Sequence, residues 1–258
     1  MDKEFDVLKQ AVAEAGRAIA DMRKKGVEIS HKSNNDILTQ ADLCADNILK
    51  STLTTNFPDY GWLSEESVDD ARRLTIKRVW VVDPIDGTKE YAAGIPEYAV
   101  SAALVEDGKP VLACVFNPET NEMFSAMKGK GAWLNNIATR CKEDCSDKLT
   151  LLASNSEVKR GEWDQFADHD VQSIGSIAYK LALVAAGRAD ATFSLGPKSE
   201  WDIAAGVLLV SEAGGVVFDK SHKEFCFNQK NIIVNGIVAS SAAASGRLME
   251  VLESSVSS

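Results

Sequence analysis

The feature that most constrains this sequence is a short acidic turn directly after an apolar run. Residues 79–82 predict a buried strand, and residues 83–88, Asp-Pro-Ile-Asp-Gly-Thr, follow it at once. Because proline fixes φ and lacks an N–H group, we expect the strand to stop at Pro84 and the chain to turn there. Asp83 and Asp86 then lie on the same side of the turn, where each carboxylate disfavours the ionised form of the other unless a cation lies between them. The segment therefore predicts a cation site at a strand end.

The end of the same segment suits a phosphate group. Gly87 permits close approach of the backbone, and Thr88 offers a hydroxyl group and an amide at a predicted helix start. Free N–H groups and the helix dipole at such a start both favour an anion. A structural explanation, with aspartate as a helix cap and glycine as a turn former, fits any single residue here but fits the whole segment poorly.

Two further acidic clusters lie at predicted element ends. Glu65 and Glu66 follow an apolar stretch, and Asp202 comes just before a helix rich in small residues. Taken alone, the glutamate pair is typical of exposed surface and Asp202 of a helix N-cap. Together with a hydroxyl group, however, carboxylates are the hard oxygen ligands that Mg²⁺ prefers. Two such ions about 4 Å apart can hold the attacking and leaving oxygens of an in-line displacement. The spacing alone leaves open whether the three clusters meet.

The composition is that of a globular protein with an acidic surplus. The chain of 258 residues has 28 Lys and Arg against 38 Asp and Glu, which gives a formal net charge of −10. This balance argues against a general nucleic-acid binder, which needs a basic surface to displace counterions. Five cysteines without a C-x-x-C pair, no signal-peptide pattern and no long apolar run predict a cytoplasmic protein with reduced thiols and no membrane span.

Hydrophobic periodicity predicts an α/β protein of layered sheets with helices between them. Helices are predicted over residues 5–22, 41–57, 177–186, 203–213 and 242–252. Strands are predicted over residues 79–82, 98–106, 110–116, 121–127, 149–153, 189–193, 216–218 and 231–239. A polar stretch near residues 141–148 divides the chain. We expect an α+β half, 1–145, with most of the metal site, and an α/β half, 146–258, that supplies Asp202 and substrate contacts, packed together as one compact unit.

Four motifs, in this order, resemble those of the inositol monophosphatase superfamily of Mg²⁺-dependent, lithium-sensitive phosphatases. They are 36–42, Asp-Ile-Leu-Thr-Gln-Ala-Asp, which matches D-x-x-T-x-x-D; the pair Glu65-Glu66; 83–88, which matches D-P-[IL]-D-G-T; and 201–206, Trp-Asp-Ile-Ala-Ala-Gly, which matches W-D-x-A-A-G. Residues 211–215, Ser-Glu-Ala-Gly-Gly, also resemble the family's E-A-G-G segment. The resemblance runs from Asp36 to Asp219 and implies a fold of alternating α-β-α-β-α layers.

The resemblance implies two to three Mg²⁺ ions. The first would lie between Glu65, Asp83 and the backbone carbonyl of Ile85. The second would lie between Asp83, Asp86 and Asp202, and Glu65 would share a third, mostly hydrated ion. Oxygen ligands of this kind leave room for water and for a substrate phosphate on each ion.

The resemblance also implies how the reaction proceeds. The catalytic residues would be Asp42, Glu65 and Thr88. Asp42 and Thr88 would position and deprotonate a water molecule whose pKa the first ion lowers. The amides of Gly87 and Thr88 would hold the phosphate, and the second ion would neutralise the leaving oxygen. Catalysis would then be mostly positioning and charge stabilisation, without a covalent phosphoenzyme.

The residues after Thr88 favour one branch of the superfamily. Lys89-Glu90-Tyr91 completes a G-T-K-E-[FY] pattern that resembles the CysQ-like 3′(2′),5′-bisphosphate nucleotidases, whereas inositol phosphatases tend to have Thr-Asn-Phe there. Leu195 falls near the place of a glutamate that contacts the ring hydroxyls in inositol phosphatases, and a leucine cannot accept those hydrogen bonds.

The further substrate contacts that the resemblance implies are Lys89, Ser154, Ser156, Gly175, Ser176, Lys180 and Asp202, with Lys198 as another partner for a second phosphate. For Lys180 and Lys198 the alternative is a solvated surface charge.

Together these observations predict a Mg²⁺-dependent phosphomonoesterase of sulfur metabolism. It would hydrolyse 3′(2′)-phosphoadenosine 5′-phosphate to AMP and phosphate with metal-activated water. Alternatives within the same chemistry are inositol 1-phosphate, histidinol phosphate and fructose bisphosphate. A non-enzyme alternative is a regulatory partner of the transcription machinery, which some superfamily members resemble, but the complete set of carboxylates favours an enzyme. We expect a small phosphorylated substrate, no nucleic acid, and a monomer or homodimer.

Overall fold

The computed structural model describes residues 1–26, 29–31 and 37–256, so Asp36 of the early motif lies outside the described residues. The α-helices in these ranges are α1 Asp2–Lys25, α2 Gln40–Asn56, α3 Thr88–Ala93, α4 Asn155–Lys159, α5 Ile177–Ala185, α6 Glu200–Glu212 and α7 Ser245–Val256. The strands are β1 Ile29–His31, β2 Ile37–Thr39, β3 Gly61–Ser64, β4 Arg78–Asp86, β5 Ala99–Glu106, β6 Lys109–Asn117, β7 Glu122–Met127, β8 Gly131–Leu134, β9 Ile137–Thr139, β10 Thr150–Ala153, β11 Asp170–Ser173, β12 Ala191–Ser194, β13 Lys198–Ser199, β14 Gly215–Phe218, β15 Ile233–Val234 and β16 Ile237–Ser241. Two short 3₁₀ helices cover Ala71–Thr75 and Asp164–Phe166.

Most strands belong to two sheets. The larger sheet has the order β3-β4-β5-β6-β7-β8-β9, in which β3 and β4 are parallel and every later pair is antiparallel. The smaller sheet has the order β11-β10-β12-β16-β14, with β10 parallel to both of its neighbours and β16 antiparallel to both of its own. Asp107 and Gly108, both at positive φ, join β5 to β6. This two-residue connection makes β5 and β6 a hairpin, which an Asp-Gly dipeptide between two apolar runs predicts.

The sheets and helices form five layers. Trp80 and Val82 of β4 pack with α1 and α2 on one face of the larger sheet, while Val79 and Val81 pack with α5 and α6 on the other. Helices α5 and α6 lie between the sheets and share their core with β16, and α7 covers the far face of the smaller sheet. This arrangement confirms the predicted α-β-α-β-α fold. Because β4 is covered on both faces, it reads in the sequence as a continuous apolar run rather than as an alternation.

The prediction that the first strand stops at Pro84 is wrong. Strand β4 continues to Asp86, and its pairing with β5 shifts register between Asp83 and Asp86. Such a bulge leaves part of the ladder unpaired, so a proline without an N–H group fits there. The irregularity falls on the two acidic residues of the segment, directly beside the cavity described below.

Other differences from the predicted elements have local causes. The predicted strand over 231–239 is divided into β15 and β16 at Gly236, whose φ of +70° breaks the extended conformation. Several strands of two to four residues, such as β3, β8, β9 and β11, are too short to show a period in the sequence. The division at residue 145 stays a prediction, and α6 of the second half packs against strands of the first. In the described ranges no helix has the length and apolar character needed to cross a membrane.

Candidate active site

A cavity of about 480 Å³ lies where β4 ends and where α3, α5 and α6 begin. Its lining residues are Glu65, Asp83, Ile85, Asp86, Gly87, Thr88, Lys89, Glu90, Ser154, Gly175, Ile177, Lys180, Pro197, Lys198 and Asp202. Each of the three acidic clusters singled out in the sequence therefore contributes at least one carboxylate to the same cavity. The question that the spacing left open is answered by the fold, which brings these distant segments together.

Asp42 does not line the cavity, but it is held directly behind Thr88. Thr39 is the N-cap of α2, and both its N–H and its hydroxyl group donate to Asp42 Oδ2, at 2.7 and 2.6 Å. The other oxygen, Oδ1, lies 3.1 Å from the Thr88 hydroxyl, which is also 2.9 Å from the carbonyl oxygen of Ile85. Burial raises the pKa of the Asp42 carboxyl, and these hydrogen bonds oppose that rise. Thr39 and Asp42 of the early motif therefore form the N-terminal cap of α2. Asp42 also accepts a hydrogen bond from Thr88, the residue expected to act together with it.

Asp83 is the most buried carboxylate of the cavity, only 1% exposed. Burial raises its pKa well above the ordinary value, and the charges of Glu65, Asp86 and Asp202 raise it further. Burial, followed by the charge of Asp86, likewise raises the pKa of Asp202 to about 7. Carboxylates that destabilise one another in this way are the groups that a bound cation would stabilise.

The donor set of the cavity fits Mg²⁺ in its chemistry. Glu65, Asp83, Asp86 and Asp202 offer carboxylate oxygens, and Ile85 adds a carbonyl at the same wall. In the described part of the chain, no three acidic, histidine or cysteine side chains already form a complete ligand set. The fit therefore rests on the type of donor and on the mutual repulsion of the carboxylates.

Asp86 is fixed by the start of α5. Its Oδ2 accepts hydrogen bonds from the Ser176 hydroxyl and, at 2.6 Å, from the N–H of Ala178. Ser176 is also the N-cap of α5 and accepts the N–H of Tyr179 at 3.0 Å. Ser176, which we expected to contact the substrate, instead positions a carboxylate, since its hydroxyl is occupied on both sides. Asp202 has a comparable partner, because its Oδ2 accepts the Ser199 N–H at 2.9 Å.

The alternative reading of Asp202 is therefore partly right. Ser199, and not Asp202, is the N-cap of α6, and Asp202 is the third residue of the helix in a capping box. The same carboxylate that accepts the Ser199 N–H also lines the cavity. One side chain thus has a capping contact and remains available at the site.

Gly87 lies in a conformation that other residues seldom adopt. Its φ is +94°, and a Cβ at this position would lie 2.9 Å from the carbonyl oxygen of Glu97. Gly87 precedes α3 as its N-cap, and both Gly87 and Thr88 line the cavity. The predicted helix start with close backbone approach is confirmed in its geometry.

Three lysines line the cavity together with the carboxylates. Lys89 is exposed and Lys198 is partly exposed, but Lys180 is only 1% exposed. The reading of Lys180 as a solvated surface charge is therefore wrong, because α5 is buried on all sides between the two sheets. Burial lowers the pKa of its ammonium group to about 8, although the charges of Glu157, Asp86 and Glu90 oppose this. Keeping a buried ammonium there suggests an anionic ligand.

Sequence reasoning missed a polar cluster at the rim of the cavity. The Asn155 amide donates to Glu90 Oε1 at 3.1 Å and to Glu97 Oε2 at 2.9 Å, and the Gly175 N–H also donates to Glu97, at 3.0 Å. A Cβ on Gly175 would collide with the Glu90 side chain. Glu90 could have been found from the K-E-Y pattern, but nothing in the sequence connects Asn155 with it. Ser154 lines the cavity, whereas Ser156 is exposed on α4 and does not line it, so its role stays a prediction.

Leu195 lies elsewhere. It lines a separate cavity with residues that include Phe218, Val238 and Met249. Leu195 follows Phe193 by two positions at the end of β12, and Phe193 packs in the cluster beneath α7, so the strand period turns both toward that side. The expectation that Leu195 faces the substrate is wrong, and the leucine carries no information about ring hydroxyls.

Comparison with known proteins gives a consistent result. The model of the inositol monophosphatase family matches residues 1–257. The chain is 39% identical over 204 residues to the Nus factor SuhB of Xylella fastidiosa, covering 75% of this chain and 72% of that protein. It is 32% identical over 246 residues to inositol monophosphatase 2 of Solanum lycopersicum, covering 90% and 93%.

Solved structures agree with this comparison. The IMPase of Thermotoga maritima superposes with a TM-score of 0.88 at 27% identity, covering 100% of this chain and 99% of that one. CysQ of Bacteroides thetaiotaomicron, a bacterial member of the same family, superposes with a TM-score of 0.78 at 26% identity, covering 93% and 97%. Both branches considered in the sequence thus have the fold described above.

Proposed function

Because this chain belongs to the inositol monophosphatase family, we propose that it is a Mg²⁺-dependent phosphatase whose substrate carries a second anionic group. Our leading candidate is 3′(2′)-phosphoadenosine 5′-phosphate, which would be hydrolysed to AMP and phosphate. The observation that carries this choice is the buried ammonium of Lys180 in the same cavity as the carboxylates. The charges of Glu157, Asp86 and Glu90 attract this ammonium but do not fully offset its burial, and a second anionic group of the substrate would add to that attraction.

Glu65, Asp83, the carbonyl of Ile85, Asp86 and Asp202 would hold the ions. Bound Mg²⁺ would lower the pKa of a coordinated water and neutralise charge on the leaving oxygen. The family resemblance implies two to three ions. Support from this chain comes from the oxygen donors of the cavity and from the raised pKa values of Asp83 and Asp202.

The other residues of the cavity would orient the reactants. The hydroxyl of Thr88, which lies 3.1 Å from Asp42 Oδ1, would receive the proton of the attacking water and pass its own to Asp42. The N–H groups of Gly87 and Thr88 would bind the phosphate undergoing attack, at the start of α3. Asp86, fixed by Ser176, would stay in place during the reaction.

The second anionic group would lie against the lysines. Lys180 is buried, Lys198 is partly exposed and Lys89 is exposed, and all three line the cavity. Amino groups of this kind bind phosphate as point charges. A cyclitol with a single phosphate would make no use of these lysines.

A substrate panel tests the proposal. Initial rates would be measured with 3′-phosphoadenosine 5′-phosphate, inositol 1-phosphate, histidinol phosphate and fructose bisphosphate, with Mg²⁺ and with and without millimolar Li⁺. We expect the nucleotide to have the highest kcat/KM, EDTA to abolish turnover, and Li⁺ to inhibit it. A clear preference for inositol 1-phosphate would contradict the nucleotide assignment and leave the phosphatase assignment intact.

A variant of the central carboxylate tests the metal site. Asp83→Asn removes a charge shared by the proposed ions and should lower kcat at least about 100-fold. Asp147→Asn is the matched control, because Asp147 is fully exposed and pairs only on the surface with Arg247. Full activity of Asp83→Asn would exclude the two-metal proposal.

Two other functions have specific support. Inositol monophosphate is favoured by the similarity to the tomato enzyme, and a role with the transcription machinery by the similarity to proteins named Nus factor SuhB. An in vitro transcription assay with the inactive Asp83→Asn protein separates the second role from catalysis, since a partner role should survive that change. Several expectations from the sequence stay predictions. They are the ion count, lithium inhibition, a place in sulfur metabolism, a cytoplasmic location and the choice between monomer and homodimer.

A further inference from the structure

Outside the cavity, an arginine and a glutamate hold one turn of the chain from opposite sides. Arg73 lies in the 3₁₀ helix Ala71–Thr75, and its side chain is only 1% exposed. Its guanidinium group donates to the side-chain oxygen of Asn228 at 2.7 Å and to the carbonyl oxygen of Gln229 at 3.1 Å. Glu200 is fully buried and accepts the backbone N–H groups of the same two residues, at 2.6 and 2.8 Å.

Each of the two charged residues is joined to one wall of the active site. The guanidinium of Arg73 also binds both carboxylate oxygens of Asp69, at 2.6 and 3.0 Å, and Asp69 lies on the loop that begins at Glu65. Glu200 is the first residue of α6, the helix that carries Asp202 as its third residue. Hydrogen bonds thus connect Asp69 to Glu200, and the backbone continues from Asp69 over four residues to Glu65 and from Glu200 over two residues to Asp202.

The turn itself is suited to this connection. Asn228 has a φ of +59°, a left-handed conformation that asparagine tolerates better than most residues. Its side-chain amide donates back to the carbonyl oxygen of Arg73 at 3.0 Å, so the two residues exchange hydrogen bonds. The hydrogen bonds to Arg73 and Glu200 are charge-assisted and buried, which makes them stronger and more directional than neutral ones. Removing one partner would leave an uncompensated buried charge.

We propose that this latch, which consists of Arg73, the turn 228–229 and Glu200, is a positioning device for the metal site. It sets the spacing between the Glu65 loop and Asp202, and through that spacing it sets the affinity for Mg²⁺. The inference rests on the proposed function, because that function makes Glu65 and Asp202 metal ligands. Residues that hydrogen-bond directly to metal ligands commonly change metal affinity by about 10- to 100-fold when they are removed. The latch acts one step further from the ligands, through the Glu65 loop and the first turn of α6, so a change of about 10-fold is expected here.

Calorimetric titration of the full chain with Mg²⁺, without substrate, tests the latch. The variants are Arg73→Met, which removes the guanidinium, and Asn228→Gly, which keeps the left-handed backbone but lacks the side chain. Asn228→Gly serves as the informative variant if Arg73→Met does not fold. Arg72→Met is the matched control, because the neighbouring Arg72 is 87% exposed and pairs with Asp70 on the surface.

We expect both latch variants to bind Mg²⁺ about 10-fold more weakly and the control to bind like the wild type. In steady-state assays the half-saturating Mg²⁺ concentration should rise by the same factor, while kcat at saturating Mg²⁺ stays within about threefold. Arg73→Lys, which keeps the charge but loses the planar fork, should fall between Arg73→Met and the wild type.

Two outcomes would overturn the inference in different ways. If the latch variants fold and bind Mg²⁺ as tightly as a Mg²⁺-dependent wild type, the latch has only a structural role and the proposed function stands. If the wild type itself neither binds Mg²⁺ nor needs it for hydrolysis, the proposed function fails, and the latch inference fails with it.

Discussion

Replacing Lys180 with methionine should make this protein more stable and less able to bind its substrate. Lys180 is buried within α5, and burial lowers the pKa of its ammonium group from the ordinary 10.5 to about 8. This fall already includes the attraction of Glu157, Asp86 and Glu90, so it measures the net cost of the charged form in the folded protein. At about 1.36 kcal/mol for each tenfold change in proton affinity, that cost is about 3 kcal/mol at pH 7.

The pH dependence follows from the direction of the pKa change. Below pH 8 the lysine is charged in both the folded and the unfolded protein, so the whole cost is present. Between pH 8 and 10.5 the folded protein has lost the proton while the unfolded chain still binds it, so wild-type stability rises with pH. The advantage of Lys180→Met should therefore shrink from about 3 kcal/mol at pH 7 to about 1.5 kcal/mol at pH 9.5.

Urea denaturation at the two pH values measures this difference, and the effect of inorganic phosphate on the thermal midpoint measures the function. Methionine has nearly the volume of lysine without its charge, so it should fill the site without a cavity. Phosphate should raise the midpoint of the wild type more than that of Lys180→Met, because a ligand that binds only the folded protein stabilises it. A variant less stable than the wild type at pH 7, or an advantage that does not shrink with pH, would refute the reasoning.

Three further substitutions test how the site is built. Gly87→Ala should destabilise the protein by about 2 kcal/mol, measured by urea denaturation, because φ is +94° and the new Cβ would lie 2.9 Å from a carbonyl oxygen; an unchanged midpoint would contradict the strained turn. Ser176→Ala should cost about 1 kcal/mol of stability and lower kcat, since it removes both the helix cap and a hydrogen bond to Asp86; full activity would mean that Asp86 needs no such support. Gly206→Ala should cost about 1–3 kcal/mol in a thermal melt, because its Cβ would lie 2.6 Å from Leu181 Cβ where α5 and α6 pack; a gain in stability would show that the helices can separate freely.

Local chemistry explains why many residues of the candidate site could be named from the sequence. The acidic segment 83–88 places its functional residues within one turn, so residue type and short spacing are enough to indicate the chemistry. Long apolar runs such as β5 and β6 and amphipathic helices such as α1 were predicted because their period is set by burial on one or both faces. Some short strands, such as β3, β8, β9 and β11, were missed because three or four positions show no measurable period.

The prediction failed where a side chain's surroundings come from distant segments. Lys180 is the one charged residue in a helix that is otherwise apolar, a pattern typical of a buried helix, but a lysine is mostly exposed in proteins and the residue type outweighed the pattern. The position of α5 between the two sheets buries it. Ser176 was assigned to the substrate from the resemblance, and its hydrogen bond to Asp86 was not foreseen because Asp86 lies 90 positions earlier in the chain. Leu195 was misplaced because the alternation at the end of β12 turns it to the far side of the smaller sheet.

The sequence by itself determined which chemical groups the candidate site has, namely carboxylates that could bind a cation, a glycine turn that could approach a phosphate, and the order of the motifs along the chain. These are properties of residue type and near neighbours, and they are present in any conformation. Only the tertiary structure decided that Glu65, Asp83 and Asp202 share one cavity, that one lysine faces them from a buried position, and that a latch joins two of its walls. Each of these depends on contacts between residues far apart in the chain, which no local pattern encodes.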